Sequence, residues 1–168
     1  MKEKDIMKVE LMPSKGITID DTIIKLGDNI QNIKLNEESG HYGHDYYFCD
    51  SCLHLATDKK GKIKEITCFC GLNDCLEVYL KQYNLSKLEV EDAVKVINTI
   101  LEEEVVLTEN NSSYDWEKSG VYAWQEVTKE TAEELLKESI REGVYENMKE
   151  DIERDIERSK YFSVITIR

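Results

Sequence analysis

Residues 46–69, YYFCDSCLHLATDKKGKIKEITCF, give the clearest structural signal in the chain. Residues 46–57 are rich in types that favour β-strands, residues 58–62 (DKKGK) are polar, and β-forming types resume at 63–69. Gly61 can supply the positive φ angle that such hairpin loops commonly need. The stretch therefore predicts an antiparallel β-hairpin. Because side chains alternate along a strand, one face of its second strand is expected to carry Ile66, Cys68 and Cys70.

The segments before and after this hairpin predict further strands and helices. Short β-patterns precede it, residues 75–83 fit either a strand or a helix, and a helix with a broad apolar stripe begins at Ser86. Strand patterns return at 105–107 and 121–127. Two Asn-x-Ser triplets between them are expected to be chance matches. This order of elements indicates an α+β fold, a mainly antiparallel sheet with helices packed on one face, in a single domain spanning residues 1–168.

The carboxyl-terminal third carries the longest helical pattern and a final strand. Apolar residues recur every four positions within 128–159, and each such step drifts by about 40° around a straight helix. We therefore expect two helices that break near Gly143, the first capped by Thr128. Residues 161–167 alternate with apolar types on both faces, which predicts a strand inside the sheet.

Composition and charge exclude several classes of function. The chain has 168 residues, with 22 basic against 35 acidic side chains and a net charge of −13. Such a surface repels phosphate backbones, so we expect no direct nucleic-acid binding. The longest apolar runs are far shorter than the about 20 residues that a membrane-spanning helix needs, and from the mixed charges of the first residues we expect no secretion signal. We expect a cytoplasmic protein without a membrane segment, whose acidic surplus meets a basic partner.

All five cysteines lie within residues 49–75, and two closely spaced pairs among them resemble the ligand spacing of zinc sites. A Cys-x₂-Cys pair followed by a Cys-x-Cys pair could supply a tetrahedral zinc site with Cys49, Cys52, Cys68 and Cys70 as ligands. However, Cys49 and Cys52 would point to opposite faces of an extended strand. We therefore expect ordinary buried thiols and no cofactor, with a structural zinc site as the alternative.

No phosphate-binding loop, nucleophile elbow or metalloprotease motif is present, so the sequence does not predict an enzyme. The stretch 114–126 (YDWEKSGVYAWQE) holds both tryptophans among acidic residues, a composition that suits binding to a basic protein. Tyr122 and Trp124 share one parity and are expected to face the core, which leaves Trp116 as the surface aromatic. The candidate partner-binding residues are Asp115, Trp116, Glu117, Glu102, Glu103 and Glu126.

Several short phrases, taken in order, resemble the immunity proteins of contact-dependent growth inhibition and related polymorphic toxin systems. The phrases are PSKGITI (13–19), LG (26–27), YYF (46–48), DKKGKI (58–63), GVYAW (120–124) and YFSV (161–164). The resemblance implies a non-catalytic cytosolic inhibitor that binds one cognate toxin domain, often a nuclease with a positively charged cleft. The alternative function is a small zinc-stabilised regulatory or scaffold protein that uses the Cys49–Cys75 cluster.

Overall fold

The computed structural model describes residues 6–35, 38–71 and 76–168. Within these ranges it contains thirteen strands and three α-helices. The strands are β1 (Met7–Met12), β2 (Gly16–Ile19), β3 (Thr22–Lys25), β4 (Glu38–Tyr42), β5 (Asp45–Phe48), β6 (Leu53–Thr57), β7 (Ile63–Phe69), β8 (Leu76–Leu80), β9 (Tyr83–Asn84), β10 (Val106–Thr108), β11 (Ser113–Trp116), β12 (Val121–Trp124) and β13 (Val164–Ile167). The helices are α1 (Val90–Leu101), α2 (Lys129–Arg141) and α3 (Tyr145–Arg158), with short 3-10 helices at Ile30–Asn32 and Glu117–Ser119.

The strands form two sheets. The five-stranded sheet has the order β3-β2-β1-β8-β9, and the eight-stranded sheet has the order β10-β11-β12-β13-β7-β6-β5-β4. Neighbouring strands are antiparallel throughout the described residues, except that β1 and β8 run parallel. The predicted α+β fold with a mainly antiparallel sheet is therefore confirmed, and the ambiguous segment after residue 75 contains a strand.

The predicted hairpin is present as β6 and β7, which pair antiparallel across the turn at 58–62. Asp58 organises that turn, because its carboxylate accepts the backbone N–H groups of Lys60 and Lys62 at 2.8 and 3.0 Å. The hydrogen bond from the Lys62 N–H is the main reason why the pKa of Asp58 lies below its usual value.

The prediction of one continuous strand over residues 46–57 is wrong. Cys49, Asp50 and Ser51 all have positive φ angles, of 53°, 53° and 65°. Three consecutive residues in this left-handed region cannot continue a strand, so the chain turns between β5 and β6. The Cys-x₂-Cys pair thus spans a turn and does not lie within a strand.

The last strand, β13, lies inside the eight-stranded sheet, as predicted, but it begins at Val164 and not at residue 161. It pairs with β12 on one side and with β7 on the other. Gly120, just before β12, contributes to this arrangement, since its carbonyl oxygen accepts the Arg168 N–H at 3.0 Å at the end of β13. Its φ is 63°, and a Cβ atom there would lie 2.5 Å from the carbonyl oxygen of Arg168. Only glycine fits this position without a shift of the backbone.

One hydrophobic cluster joins both sheets to α1. It includes Val9 and Ile17 of the five-stranded sheet, Leu55 and Ile66 of the eight-stranded sheet, and Ile97 of α1. The inner face of the eight-stranded sheet therefore packs into the core. Residues of the opposite parity on its strands form its outer face.

The helices α2 and α3 pack against each other, and the break predicted near Gly143 is confirmed. Gly143 has a φ of 73°, and the Thr128 side chain caps α2 by accepting the Thr131 N–H at 3.2 Å. The helix expected from Ser86 begins later, at Val90. No helix in the described residues is long and apolar enough to cross a membrane.

Candidate partner-binding face

The outer face of the eight-stranded sheet carries a row of polar and aromatic side chains. Strand registers place Asp115 opposite Tyr122, Tyr122 opposite Thr166, Thr166 opposite Thr67, and Thr67 opposite His54. Side chains alternate along each strand, so this row lies on the face opposite to the core residues. We call this surface the outer face; its main residues are Tyr47, His54, Glu65, Thr67, Ser113, Asp115, Tyr122, Trp124, Val164, Thr166 and Arg168.

Hydrogen bonds and ring contacts connect the middle of the outer face. The hydroxyls of Thr67 and Thr166 are 3.1 Å apart. Arg168 Nε donates to Glu65 Oε2 at 2.6 Å, and its guanidinium lies 4.6 Å from the centre of the Tyr122 ring. These contacts hold Tyr122 and Arg168 in fixed positions on the surface.

On strands β5 and β6 of the outer face, His54 contacts both Asp45 and Tyr47. His54 Nε2 donates to Asp45 Oδ1 at 2.8 Å, and the His54 ring stacks on the Tyr47 ring with centroids 4.8 Å apart. The hydrogen bond to the carboxylate and the stacked Tyr47 ring fix the orientation of this imidazole. Side-chain contacts thus link the residues of the outer face from β5 to β12.

Trp124 is the most exposed aromatic side chain in the middle of the outer face, with 39% of its surface accessible, whereas Tyr42 on the edge strand β4 is 77% exposed. Its register partner on β11 is Ser113, and this small side chain leaves space beside the indole. Two cavities meet at Trp124. The first, of about 480 Å³, extends over Thr67, Thr166 and Asp115, and the second, of about 490 Å³, extends towards α3.

The second cavity lies between the outer face and the helices α2 and α3, which we call the acidic helical pair. Arg154 and Arg158 of α3 line it together with Trp124 and Glu126. Both arginines form ion pairs: Arg154 with Asp151, and Arg158 with Glu126. Residues 129–158 contain eleven acidic and six basic residues, so the predicted excess of negative charge lies on a helical pair beside Trp124.

The predicted roles of the two tryptophans are reversed in the structure. Trp116 is fully buried, and its Nε1 donates to Asn98 Oδ1 at 2.7 Å. It lies opposite Val121 on the core face, whereas Tyr122 and Trp124 point outwards. Trp116 is therefore a core residue and cannot contact a partner, and the expectation that Tyr122 and Trp124 face the core is wrong.

The predicted acidic contact residues fall into two groups. Asp115 lies on the outer face, and the exposed Glu126 lines the second cavity near Trp124. Glu102 and Glu117 are also exposed, but they belong to the end of α1 and to the 3-10 helix after β11. The structure thus brings Asp115 and Glu126 to Trp124, and it places the other acidic residues elsewhere.

Glu103 has a structural role. Its carboxylate accepts the backbone N–H groups of Lys118 and Ser119 at 3.0 and 2.9 Å, and the Ser119 hydroxyl at 2.8 Å. It therefore stabilises the 3-10 helix at Glu117–Ser119 by satisfying donors that the helix itself leaves free.

The cysteines do not form a common site in the described part of the chain. Cys68 and Cys70 are buried, and burial raises the pKa of both thiols, that of Cys70 to about 12. Burial and then the nearby Asp20 and Asp50 raise the pKa of Cys49. Cys52 is disulfide-bonded, so the expectation of thiols alone is wrong there, and Cys75 lies outside the described residues.

The disulfide at Cys52 does not match the alternative zinc site. Zinc binds thiolates, and Cys52 has no thiol to ionise. No group of three or more His, Cys, Asp or Glu side chains that could hold a metal occurs among residues 6–35, 38–71 and 76–168.

Comparisons with known proteins returned no relatives. No protein-family model matches the chain, and neither a curated protein nor a solved structure matches it. The outer face and its surroundings are thus the observations from which a function can be inferred.

Proposed function

We propose that this chain is a non-catalytic immunity protein that binds and neutralises a toxin domain with a basic surface, a nuclease in our interpretation. The binding surface is the outer face around Trp124, and the site of action is the cytoplasm. One observation carries the proposal: a sheet face that none of the described helices covers exposes an indole beside Asp115 and Glu126 in a chain of net charge −13.

The aromatic side chains supply affinity in this proposal. Trp and Tyr are enriched among the few interface residues that contribute most of the binding free energy, each typically costing about 2 kcal/mol or more when truncated. Trp124 and Tyr122 lie next to each other along one strand face and are held by neighbouring strands. A partner that covers them buries aromatic surface without having to order it first.

The acidic helical pair supplies steering. A nuclease presents a positive cleft to nucleic acid, and a negative protein surface attracts that cleft over a distance of about a Debye length, about 8–10 Å at physiological salt. Added salt is therefore expected to slow association about tenfold or more between low and high ionic strength, with little change in the dissociation rate. Stopped-flow mixing measures both rates. A salt-independent association rate contradicts steering.

Parallel affinity capture from the cells that make this chain tests the proposal. The baits are the wild-type chain, Trp124→Ala, and the matched control Tyr83→Ala, whose side chain is also 39% exposed but lies in the five-stranded sheet. We expect a basic protein that the wild type and Tyr83→Ala retain and Trp124→Ala loses.

The second step is expression of the captured protein in a host lacking this chain. We expect the host to stop growing, and we expect co-expression of the wild-type chain, but not of Trp124→Ala, to restore growth. A captured protein that is harmless, or whose toxicity the wild-type chain does not suppress, contradicts the proposed function.

A further inference from the structure

We propose that the first cavity of the outer face accepts an arginine side chain of the partner, between the Trp124 indole and the Asp115 carboxylate. This inference rests on the proposed function only in taking the partner to be a protein. We call the part of this cavity next to β10 and β11 the acidic-aromatic pocket; it is lined by Thr108, Glu109, Ser113, Asp115, Tyr122 and Trp124. The rest of the cavity is lined by Arg168, Glu65 and their neighbours on β6, β7 and β13.

Strand register creates the space. Ser113 lies directly opposite Trp124, and Asp115 lies directly opposite Tyr122, so two aromatic side chains face two short ones across the β11–β12 pair. Thr108 is the register partner of Ser113 on β10, the edge strand, and is also short. The cavity of about 480 Å³ therefore opens beside the indole, with the planar ring as one wall.

Charge selects a cation. Asp115 is partly buried and forms no ion pair or side-chain hydrogen bond within residues 6–35, 38–71 and 76–168. Glu109 is held towards the pocket because its Oε2 accepts the Ser113 hydroxyl at 3.1 Å. The neighbouring cation, Arg168, is already paired with Glu65. Two carboxylates beside an aromatic wall thus attract a positive group.

The same face shows the chemistry that such a site uses. Arg168 lies over the Tyr122 ring at 4.6 Å and pairs with the Glu65 carboxylate at 2.6 Å. Trp124 and Asp115 provide the same two elements, an aromatic face and a carboxylate, on the adjacent strands β12 and β11. Trp is the strongest cation–π acceptor among the aromatic side chains, and the planar guanidinium of arginine stacks on it better than the ammonium of lysine.

Nuclear magnetic resonance titration of the full chain with a small probe tests the proposal. The probes are acetyl-Gly-Arg-Gly-amide, the same peptide with lysine, and the same peptide with citrulline, which keeps the shape of arginine but has no charge. The chain has two indole N–H signals, and buried Trp116 is an internal control for Trp124. Trp124→Phe assigns the two signals.

We expect the arginine peptide to shift the Trp124 indole signal and to leave that of Trp116 unchanged. The lysine peptide should bind more weakly, and the citrulline peptide should bind at least about fivefold more weakly, since a difference of about 1 kcal/mol corresponds to that factor. Asp115→Asn should weaken the arginine peptide about three- to fivefold, as expected for loss of one charge-assisted contact. The control Glu10→Gln, an exposed carboxylate on β1, should leave binding unchanged.

Three results would overturn the proposal. They are an unshifted Trp124 indole signal, equal binding of the arginine and citrulline peptides, and equal weakening by Asp115→Asn and Glu10→Gln. A shift of Trp124 by single-stranded oligothymidylate instead of the peptide would assign the face to nucleic acid and would also reject it. Peptide binding is measured without any toxin, so a chain that binds arginine but does not protect cells would contradict only the proposed function.

Discussion

Replacement of each tryptophan by phenylalanine distinguishes the buried indole from the exposed one. Trp116 is fully buried and donates a hydrogen bond of 2.7 Å to Asn98 Oδ1. Trp116→Phe loses that bond, worth about 1 kcal/mol net, and leaves part of the indole volume unfilled, which costs about 1–2 kcal/mol more. We therefore expect Trp116→Phe to lower the free energy of unfolding by about 2–3 kcal/mol. Trp124→Phe should cost about 0.5 kcal/mol, because its ring is partly solvated.

Asn98 extends this prediction to the hydrogen-bond network. Its Oδ1 also accepts the Val105 N–H at 3.1 Å, and its Nδ2 donates to Glu104 Oε2 at 3.2 Å. Asn98→Ala leaves the buried Trp116 N–H without an acceptor, at a cost of about 1–3 kcal/mol. In the double variant with Trp116→Phe the two losses should overlap by about 1 kcal/mol, because both remove the same bond.

Urea denaturation followed by far-ultraviolet circular dichroism measures all four variants, since tryptophan fluorescence changes with the substitutions themselves. The reasoning is refuted if Trp124→Phe costs as much as Trp116→Phe. It is also refuted if the two losses at Trp116 and Asn98 add without overlap.

Further predictions concern the turn glycines, the buried thiols and the structural carboxylate. Gly120→Ala should destabilise the chain by more than about 2 kcal/mol or prevent folding, because the added Cβ would meet the Arg168 carbonyl oxygen. Gly143→Ala has a similar φ but open space around the Cβ position, so it should cost about 1 kcal/mol. Equal losses of stability in thermal melts would contradict the backbone contact at Gly120. Above about pH 9 the thiols of the unfolded chain ionise, whereas burial raises the pKa of Cys70 in the folded chain to about 12, so the free energy of unfolding should fall with rising pH. Urea titrations at several pH values should show a smaller fall for Cys70→Ala. The same dependence of the free energy of unfolding on pH in this variant would contradict the contribution of Cys70. Glu103→Ala should lower the free energy of unfolding by about 1–2 kcal/mol and Glu117→Ala by less than about 0.5 kcal/mol, and the opposite ranking would show that Glu103 does not stabilise the 3-10 helix.

Sequence patterns within a single strand or helix predicted those features of the fold that do not depend on which elements pack together. The shared burial of Ile66, Cys68 and Cys70 follows from strand alternation alone. The drift of apolar positions predicts the break at Gly143 without any knowledge of packing, and the apolar residues on both faces of 161–167 indicate a strand inside the sheet. The β-rich composition of residues 46–57 concealed the turn at 49–51, although Asp50 and Ser51 are common turn residues.

Prediction of the candidate site required the strand pairing, which the sequence does not show directly. Alternation indicates that Tyr122 and Trp124 share a face, but it does not say whether that face is buried. The register decides this, because polar Ser113 and Asp115 lie opposite them and Trp116 lies opposite Val121. A sequence argument that first paired β11 with β12 would have placed the polar residues, and hence Trp124, on the outer face.

Hydroxyl-radical footprinting of the neutralised complex tests the central claim most directly. Trp124 and Tyr83 are equally exposed in the free chain but lie in different sheets. If the outer face binds the partner, the oxidation rate of Trp124 will fall severalfold when the captured partner is added, and the rate of Tyr83 will not change. An unchanged rate at Trp124 in a complex that still neutralises the toxin would show that the partner binds elsewhere.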